Sequence, residues 1–367
     1  MNISEFSVSN ALMWCCIVMF LFHLIMKSNR SIGKLGLTFL LLLGGTSIIR
    51  LILPLEFEST IVIGSRTIYP WVERTSDRIA TAIAGKPMTS SRLIFYFCLA
   101  AAIPFLIRSI TKYLKHAMTL RRFPSADARV QNIMNGIGRK KNLRVVSSPL
   151  VNVPQIMGFF RITIALPKKE YTDKQLRLIL THEWTHYKKA DLWIKLVFEI
   201  FCDFMWWNPL AYLLKADIEQ LLEIRCDNSC TRGISPAETA YYLETLRAQH
   251  LEASESRLIP FVRAAFVGVK PLSQRFIMIR DYKNHMSKRD FLLSLAGLIT
   301  ALLISYNITI QPHYAPPLGE GDRVIDYGYV EENSDGTYIL RFSDGSSIEA
   351  DDRILELLRG QKFDLRQ

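Results

Sequence analysis

Four long apolar runs constrain this 367-residue chain more than any other feature. They read VSNALMWCCIVMFLFHLIM (residues 8–26), LGLTFLLLLGGTSIIRLILPL (35–55), RLIFYFCLAAAIPFLIRSI (92–110) and FLLSLAGLITALLISYNITI (291–310). A helix that crosses the hydrocarbon of a bilayer needs about 20 mainly apolar residues, and each run reaches or approaches that length. Backbone amides in hydrocarbon find no water to bond, so each run is expected to form a transmembrane helix. Residues 1–10 hold no Lys or Arg. The first run therefore lacks the positive start of a signal peptide and reads as a retained span.

Basic residues orient these spans. Lys27, Arg30 and Lys34 follow the first run, Arg108, Lys112, Lys115, Arg121 and Arg122 close the third, and Lys283, Lys288 and Arg289 precede the fourth. All three clusters face the cytosol if the amino terminus is outside. The chain then divides into a membrane domain over 1–110, a cytosolic domain over 111–290, a fourth span over 291–310 and a small module outside over 311–367. Charge follows the same division, with 30 Lys/Arg against 17 Asp/Glu from Arg108 to Asp290 and 6 against 12 from Gln311 to Gln367. Membrane lipid with anionic headgroups is the partner expected for the basic part, and no nucleic acid is. Arg50, near the outer end of the second run, is expected to snorkel towards headgroups.

The segment 111–290 reads as mixed α and β. SADARVQNIMNGIGRKKN suggests a helix capped by Ser125 or Asp127. LRVVSS and RITIALP read as short strands, and VPQIMGF as an edge strand opened by proline. From Thr172 the pattern is helical, with Leu176, Ile179 and Leu180 on one face. LWIKLVFEIFCDFMWWNPLAYLL carries too many polar residues for a fifth span and reads as two helices broken at Asn208-Pro209. Its aromatic cluster of Phe201, Phe204, Trp206 and Trp207 suits either a membrane surface or a core. After the fourth run, a proline-rich linker over 311–322 precedes three predicted strands joined by NSDG and SDG turns, with RILELLRG as a closing helix. No cysteine lies in 311–367, and Cys226 and Cys230 read as packing residues.

Chemistry concentrates at THEWTHYKKAD, residues 181–191. Positions i and i+4 share one helix face, so His182 and His186 can offer two imidazole nitrogens to one zinc ion. Glu183, directly after the first histidine, suits the general base of zinc-assisted hydrolysis. A further ligand is needed, and the helical stretch IEQLLEIRCDN (218–228) offers Glu219, Glu223 and Asp227. Glu223 and Asp227 stand one turn apart, so one could bind metal while the other orients a histidine. Spacing alone leaves Glu219 and Asp217 open as well.

HEWTHYKKADL, WNPLAYLL, EIRCD and the preceding SSPLVNVPQIMGFFRITIALPKKEYT together resemble the BlaR/MecR-type family of bacterial membrane zinc metallopeptidases. The likeness runs through roughly residues 1–310 and includes four spans with the peptidase between the third and fourth. It implies a gluzincin-like α+β domain in which His182, His186 and Glu223 bind zinc and Glu183 is the base. Asp227 then matches the outer carboxylate that holds the first histidine. It also implies a multi-pass protein of the bacterial cytoplasmic membrane. The antibiotic sensors of that family carry an outer penicillin-binding domain with a Ser-x-x-Lys motif, and residues 311–367 contain none. The small acidic module would then answer a different signal.

The sequence thus predicts a membrane zinc metalloprotease with a role in signal transduction. Its protein substrate would be a cytosolic regulator, a membrane protein or the chain itself, laid along the edge strand at Pro154, Gln155, Ile156, Met157 and Gly158. Tyr241, Tyr242, Arg225 and His250 are candidates to steady the oxyanion, and two chains could pair as a homodimer. The rival readings are a non-catalytic membrane receptor or scaffold, and a quality-control protease without a sensor.

Overall fold

A computed structural model describes residues 5–54, 61–65, 79–83, 86–138, 142–255, 271–281, 287–312, 329–332, 338–341, 347–350 and 365–366. Contacts divide the chain into two units, Met1–Pro312 and His313–Gln367.

The first unit begins with α1 (Glu5–Met26), α2 (Asn29–Leu35) and α3 (Leu37–Ile52), followed by β1 (Ile61–Ser65), β2 (Ile79–Ile83), β3 (Lys86–Thr89) and the long helix α4 (Ser90–Arg121). The third apolar run therefore does not stop at residue 110: α4 continues for another eleven residues through the basic cluster. Among the described residues, two helices are long and apolar enough to cross a membrane, within α4 and in α11 (Lys288–Asn307). The α1–α2 pair, bent by 108°, passes the same test as one span, and α3 is a shorter apolar helix. All four apolar runs are thus helical, with one correction. Ile308–Ile310, expected to finish the fourth span, leaves the helix and forms β7 (Ile308–Pro312), paired in parallel with β1 from Ile61↔Ile308 to Ser65↔Pro312.

Arg50 corrects a second expectation. It is buried rather than extended towards headgroups. Its guanidinium donates to the Ser305 carbonyl at 3.2 Å and lies 4.3 Å from the centroid of the Tyr306 ring, tying α3 to the end of α11.

The expected mixed region is present. It comprises α5 (Ala128–Ile137), β4 (Leu143–Ser148), β5 (Gln155–Met157), β6 (Ile162–Pro167), α6 (Asp173–Lys188), α7 (Asp191–Phe204), α8 (Pro209–Cys230), α9 (Pro236–Glu255) and α10 (Pro271–Asp281). Its sheet has the order β4-β6-β5, with β4 parallel and β5 antiparallel to the central β6. β6 is buried on both faces, so its run ITIALP needs no polar alternation. β5 is an edge, as its opening proline predicts.

Local chemistry sets the helix ends. Thr172 and Gln175 form a reciprocal capping box that starts α6. Ala190, at φ +57°, separates α6 from α7. Asn208 caps α8 by accepting from the Leu210 amide, with Pro209 in the first turn. α5 and α6 pack on the sheet through Val130, Met134, Ile164, Leu176, Leu180 and Trp184. A separate core joins α7 and α8 to the amino-terminal helices, where Phe198, Phe201, Leu214, Ile218 and Leu221 meet Cys15, Met19, Phe22 and Leu40. The helices of the expected cytosolic domain and those of the membrane domain therefore share one apolar interior.

In the second unit, β8 (Tyr329–Glu332), β9 (Tyr338–Arg341) and β10 (Ser347–Ala350) form the predicted antiparallel meander. A further strand, β11 (Leu365–Arg366), adds in parallel to β8. The predicted turns at 333–336 and 343–345, the helix at 353–360 and most of the linker at 311–322 lie outside the described residues.

Gly158 gives the sharpest test of this packing. It closes the edge strand at φ +92°, and a Cβ there would stand 2.0 Å from the Arg161 carbonyl oxygen. Gly158→Ala is expected to cost about 1–3 kcal/mol, read as a lower thermal midpoint. An unchanged midpoint would refute the turn as described.

Candidate metal centre

α6 and α8 lie side by side, and the motif histidines face the carboxylate predicted to meet them. His182 Nε2 and His186 Nε2 are 3.1 Å apart, and Glu223 reaches the first at 3.4 Å through Oε2 and the second at 3.6 Å through Oε1. Two zinc bonds of about 2.0–2.1 Å at a tetrahedral angle separate their donor atoms by roughly 3.3–3.4 Å. The nitrogen–nitrogen separation is close to that value, each nitrogen has one Glu223 oxygen within 3.6 Å, and the donors are two imidazoles and one carboxylate, so the residues fit a zinc ion. The other carboxylates considered have different neighbours. Asp217 bonds His23 at 2.7 Å, and Glu219 lies 4.0 Å from Lys215, so neither joins the two histidines.

Each histidine is held from behind, as imidazole ligands require. His186 Nδ1 meets Asp191 Oδ2 at 2.7 Å, and Asp191 is itself gripped by Arg225. The break at Ala190 makes this contact possible by turning the chain so that the first residue of α7 faces back onto α6. His182 Nδ1 is 2.9 Å from the Tyr242 hydroxyl, which donates to Asp227 Oδ1 at 2.7 Å. Asp227 stands 3.5 Å from that nitrogen. The carboxylate predicted to hold the first histidine is thus placed behind it and reaches it through the Tyr242 hydroxyl. Arg275, from α10, grips Asp227 with two bonds of 2.6 and 2.7 Å.

Charge in this cluster is balanced by several elements. Burial alone would raise the pKa of Glu223, but His186, Lys195 and Arg275 outweigh it and hold the carboxyl well below its ordinary range. Burial would also lower His182, but bonds to Cys230 and Glu223 and the charge on Asp227 raise it well above the usual imidazole value. The pocket therefore favours positive charge, whether a proton or a metal ion. Tyr242 is pushed up by burial and by Asp227, so it stays a neutral donor.

Glu183 is nearly buried on α6 beside its histidine. Lys195, across on α7, lies 3.4 Å from Glu223 and feels the charge of Glu183. Cys226 and Cys230 also approach the centre. Cys226 Sγ is 3.5 Å from His182 Nδ1, on the side of the ring away from His186, and the pair forms a second possible ligand group with that histidine.

The candidate oxyanion residues disperse. Tyr241 lies by Thr172 and Lys174, Arg225 is committed to Asp191, and Tyr242 supports His182. The side chain of His250 lies outside the described residues. Pro154–Gly158 runs along the sheet edge, where the Gly158 amide donates to Tyr113 and the Gln155 side chain meets His116. Sequence reasoning missed Asp191, Lys195 and Arg275. Asp191 alone left a local trace, as an acid five residues after His186.

Two histidines one helical turn apart, a carboxylate from a facing helix and an acid beside the first histidine make a group suited to holding a metal ion for hydrolysis. Residues 46–279 match the family model described as BlaR1 peptidase M56, and the chain belongs to that family. It is similar to the Regulatory protein BlaR1 of Staphylococcus aureus, with 23% identity over 245 residues that cover 62% of this chain and 40% of that protein. A Methicillin resistance mecR1 protein of Staphylococcus aureus (strain Mu50 / ATCC 700699) is 25% identical over 179 residues, 46% of this chain and 31% of that one. The Regulatory protein BlaR1 of Bacillus licheniformis is 32% identical over 82 residues, 22% of this chain and 14% of that one. The matched stretches span less than half the length of these relatives.

Asp191→Asn and Tyr242→Phe are each expected to weaken zinc binding by roughly 10–100-fold without loss of helix content. Chelator competition measures this, and wild-type affinity in both variants would remove these side chains from the centre. Because His182 must shed its proton to bind metal, and that proton is held above the usual imidazole range, zinc affinity should rise with pH through the neutral region. A flat profile from pH 6 to 8, as readings at about those limits, would contradict the assignment.

Proposed function

We propose that this chain is a zinc metalloendopeptidase of the bacterial cytoplasmic membrane that cleaves a protein substrate during transmembrane signalling. The observation that carries the reading is the approach of Glu223 to 3.4 and 3.6 Å from the two motif histidines, with Glu183 beside them. The name Regulatory protein, carried by two of the relatives, supports the signalling role.

His182, His186 and Glu223 would hold zinc. When bound, it supplies a Lewis acid for the scissile carbonyl and lowers the pKa of the attacking water. Glu183 accepts a proton from that water and passes it to the leaving amine. Asp191 and the Tyr242–Asp227 pair keep each imidazole in the tautomer that presents Nε2 to the metal. The substrate strand lies along β5 from Pro154 to Gly158, extended by main-chain bonding. Its source is a cytosolic regulator, another membrane protein or this chain itself.

In this reading α1, α3, α4 and α11 are the spans. The amino terminus and residues 311–367 lie outside, and the metal centre lies in the cytosol. A homodimer is compatible with it.

Glu183→Gln separates an enzyme from a metal-bearing scaffold. Zinc content should stay near wild type while cleavage falls by about 10²–10⁴-fold or more. Proteomic comparison of cells carrying either form identifies the substrate. Signalling that persists at full strength in the variant would overturn the proposal.

A further inference from the structure

The polar residues around Asn208 hide a feature of depth. α7 and α8 form an antiparallel hairpin whose tip, Met205–Asn208, makes contacts with two helices read above as spans. Trp206 Nε1 donates to the Cys98 carbonyl at 3.3 Å, and its ring stacks on Phe105 at 5.5 Å between centroids. Asn208 Nδ2 donates to Cys16 Sγ at 3.3 Å. Cys98 and Phe105 belong to the uncharged stretch 93–107 of α4, and Cys16 lies near the middle of α1. Two independent helices thus put the tip at the same level, well inside the apolar zone.

We propose that the α7–α8 hairpin is inserted tip-first among the membrane helices, with Phe204, Trp207 and Tyr212 resting against lipid acyl chains. The proposal rests on reading α1 and α4 as spans and does not depend on catalysis. Three further observations favour lipid over water or a protein partner.

Phe204 and Trp207 are 45% and 44% exposed, comparable to the 56% of Ile103 on the uncovered face of the adjoining α4. The apolar surface of the span therefore continues onto the hairpin. The ionisable groups nearest the tip also have partners inside the protein, with the Oδ2 of Asp203 alone among them buried without one. Asp203 accepts from Ser109, Glu199 pairs with Lys215 across the hairpin, and Asp217 pairs with His23. Charges in lipid are expected to be paired in this way.

The third observation is length. From Pro209 to Glu223, α8 rises about 21 Å at 1.5 Å per residue. Half the hydrocarbon thickness is about 15 Å. A tip near the midplane therefore brings Glu223 out at the level of the headgroups, where zinc and water have access.

The test uses the full chain in phosphatidylcholine–phosphatidylglycerol vesicles. The fluorescence that Trp207→Phe removes is measured with lipids brominated along the acyl chain and with aqueous acrylamide. That component should be quenched at least about threefold more by the brominated lipid, as expected for an indole in the apolar zone. Tyr212→Trp in the Trp207→Phe background should add a component with the same preference, which guards against a local rearrangement in one variant. Acrylamide quenching alone would mean that the hairpin stands in water. Resistance to both quenchers would mean that protein covers it, and either result overturns the proposal. Trp14 on α1, assessed through Trp14→Phe, is the control. If it escapes brominated lipid too, the span reading fails, whereas quenching of Trp14 without Trp207 defeats the insertion alone.

Discussion

Keeping the Glu223 carboxylate charged inside a crowded helix pair is the requirement on which the centre depends. An unpaired charge in such a place costs several kcal/mol, and the fold meets that cost with cations from three other helices. His182 and His186 come from α6, Lys195 from α7 and Arg275 from α10. The group best suited to bind a metal therefore also draws these elements around one point. Arg275 bonds Asp227 as well, so one guanidinium braces both Glu223 and Asp227.

α8 divides its duties between two faces. Leu214, Ile218, Leu221 and Leu222 turn towards the apolar interior shared with α1 and α3, while Glu223 and Asp227 turn towards the histidines. Close approach is needed on the apolar face, since a Cβ on Gly44 of α3 would lie 2.8 Å from Ile218 Cδ1. The helix that completes the centre is therefore positioned by packing against the amino-terminal helices. A centre resting on its own sheet and helices alone would lack that support.

Much of this was legible because it is local. The apolar runs, the helix start at Thr172, the Asn208-Pro209 break and the edge position of Gln155–Met157 all follow from side-chain chemistry within a few residues. The pairing of His182 with His186 is local too, fixed by the helical repeat. Glu223 was only one of several carboxylates until packing chose it, because no spacing rule links residues 41 positions apart. Arg275 gave no signal for the same reason. Arg50 was misjudged because hydropathy does not reveal that Ser305 and Tyr306 lie beside it. The end of α11 was misplaced because Ile308–Ile310 suits a strand as well as a membrane helix, and only its pairing with β1 decides between them.

Arg50, near the end of α3, meets Ser305 and Tyr306 near the end of α11, so both helices end at the same pole, where β7 follows α11 and Asn10 near the start of α1 bonds the Ile308 carbonyl. Met26, at the other end of α1, accepts from Gln274, next to the Arg275 that holds Glu223. Ile308 and Gln274 thus contact opposite ends of one helical shaft, at Asn10 and Met26, which stand about 24 Å apart along α1 by its rise per residue. A pull on the strand at one pole loads α1 and α3 along their length, and those helices floor the carboxylate at the other.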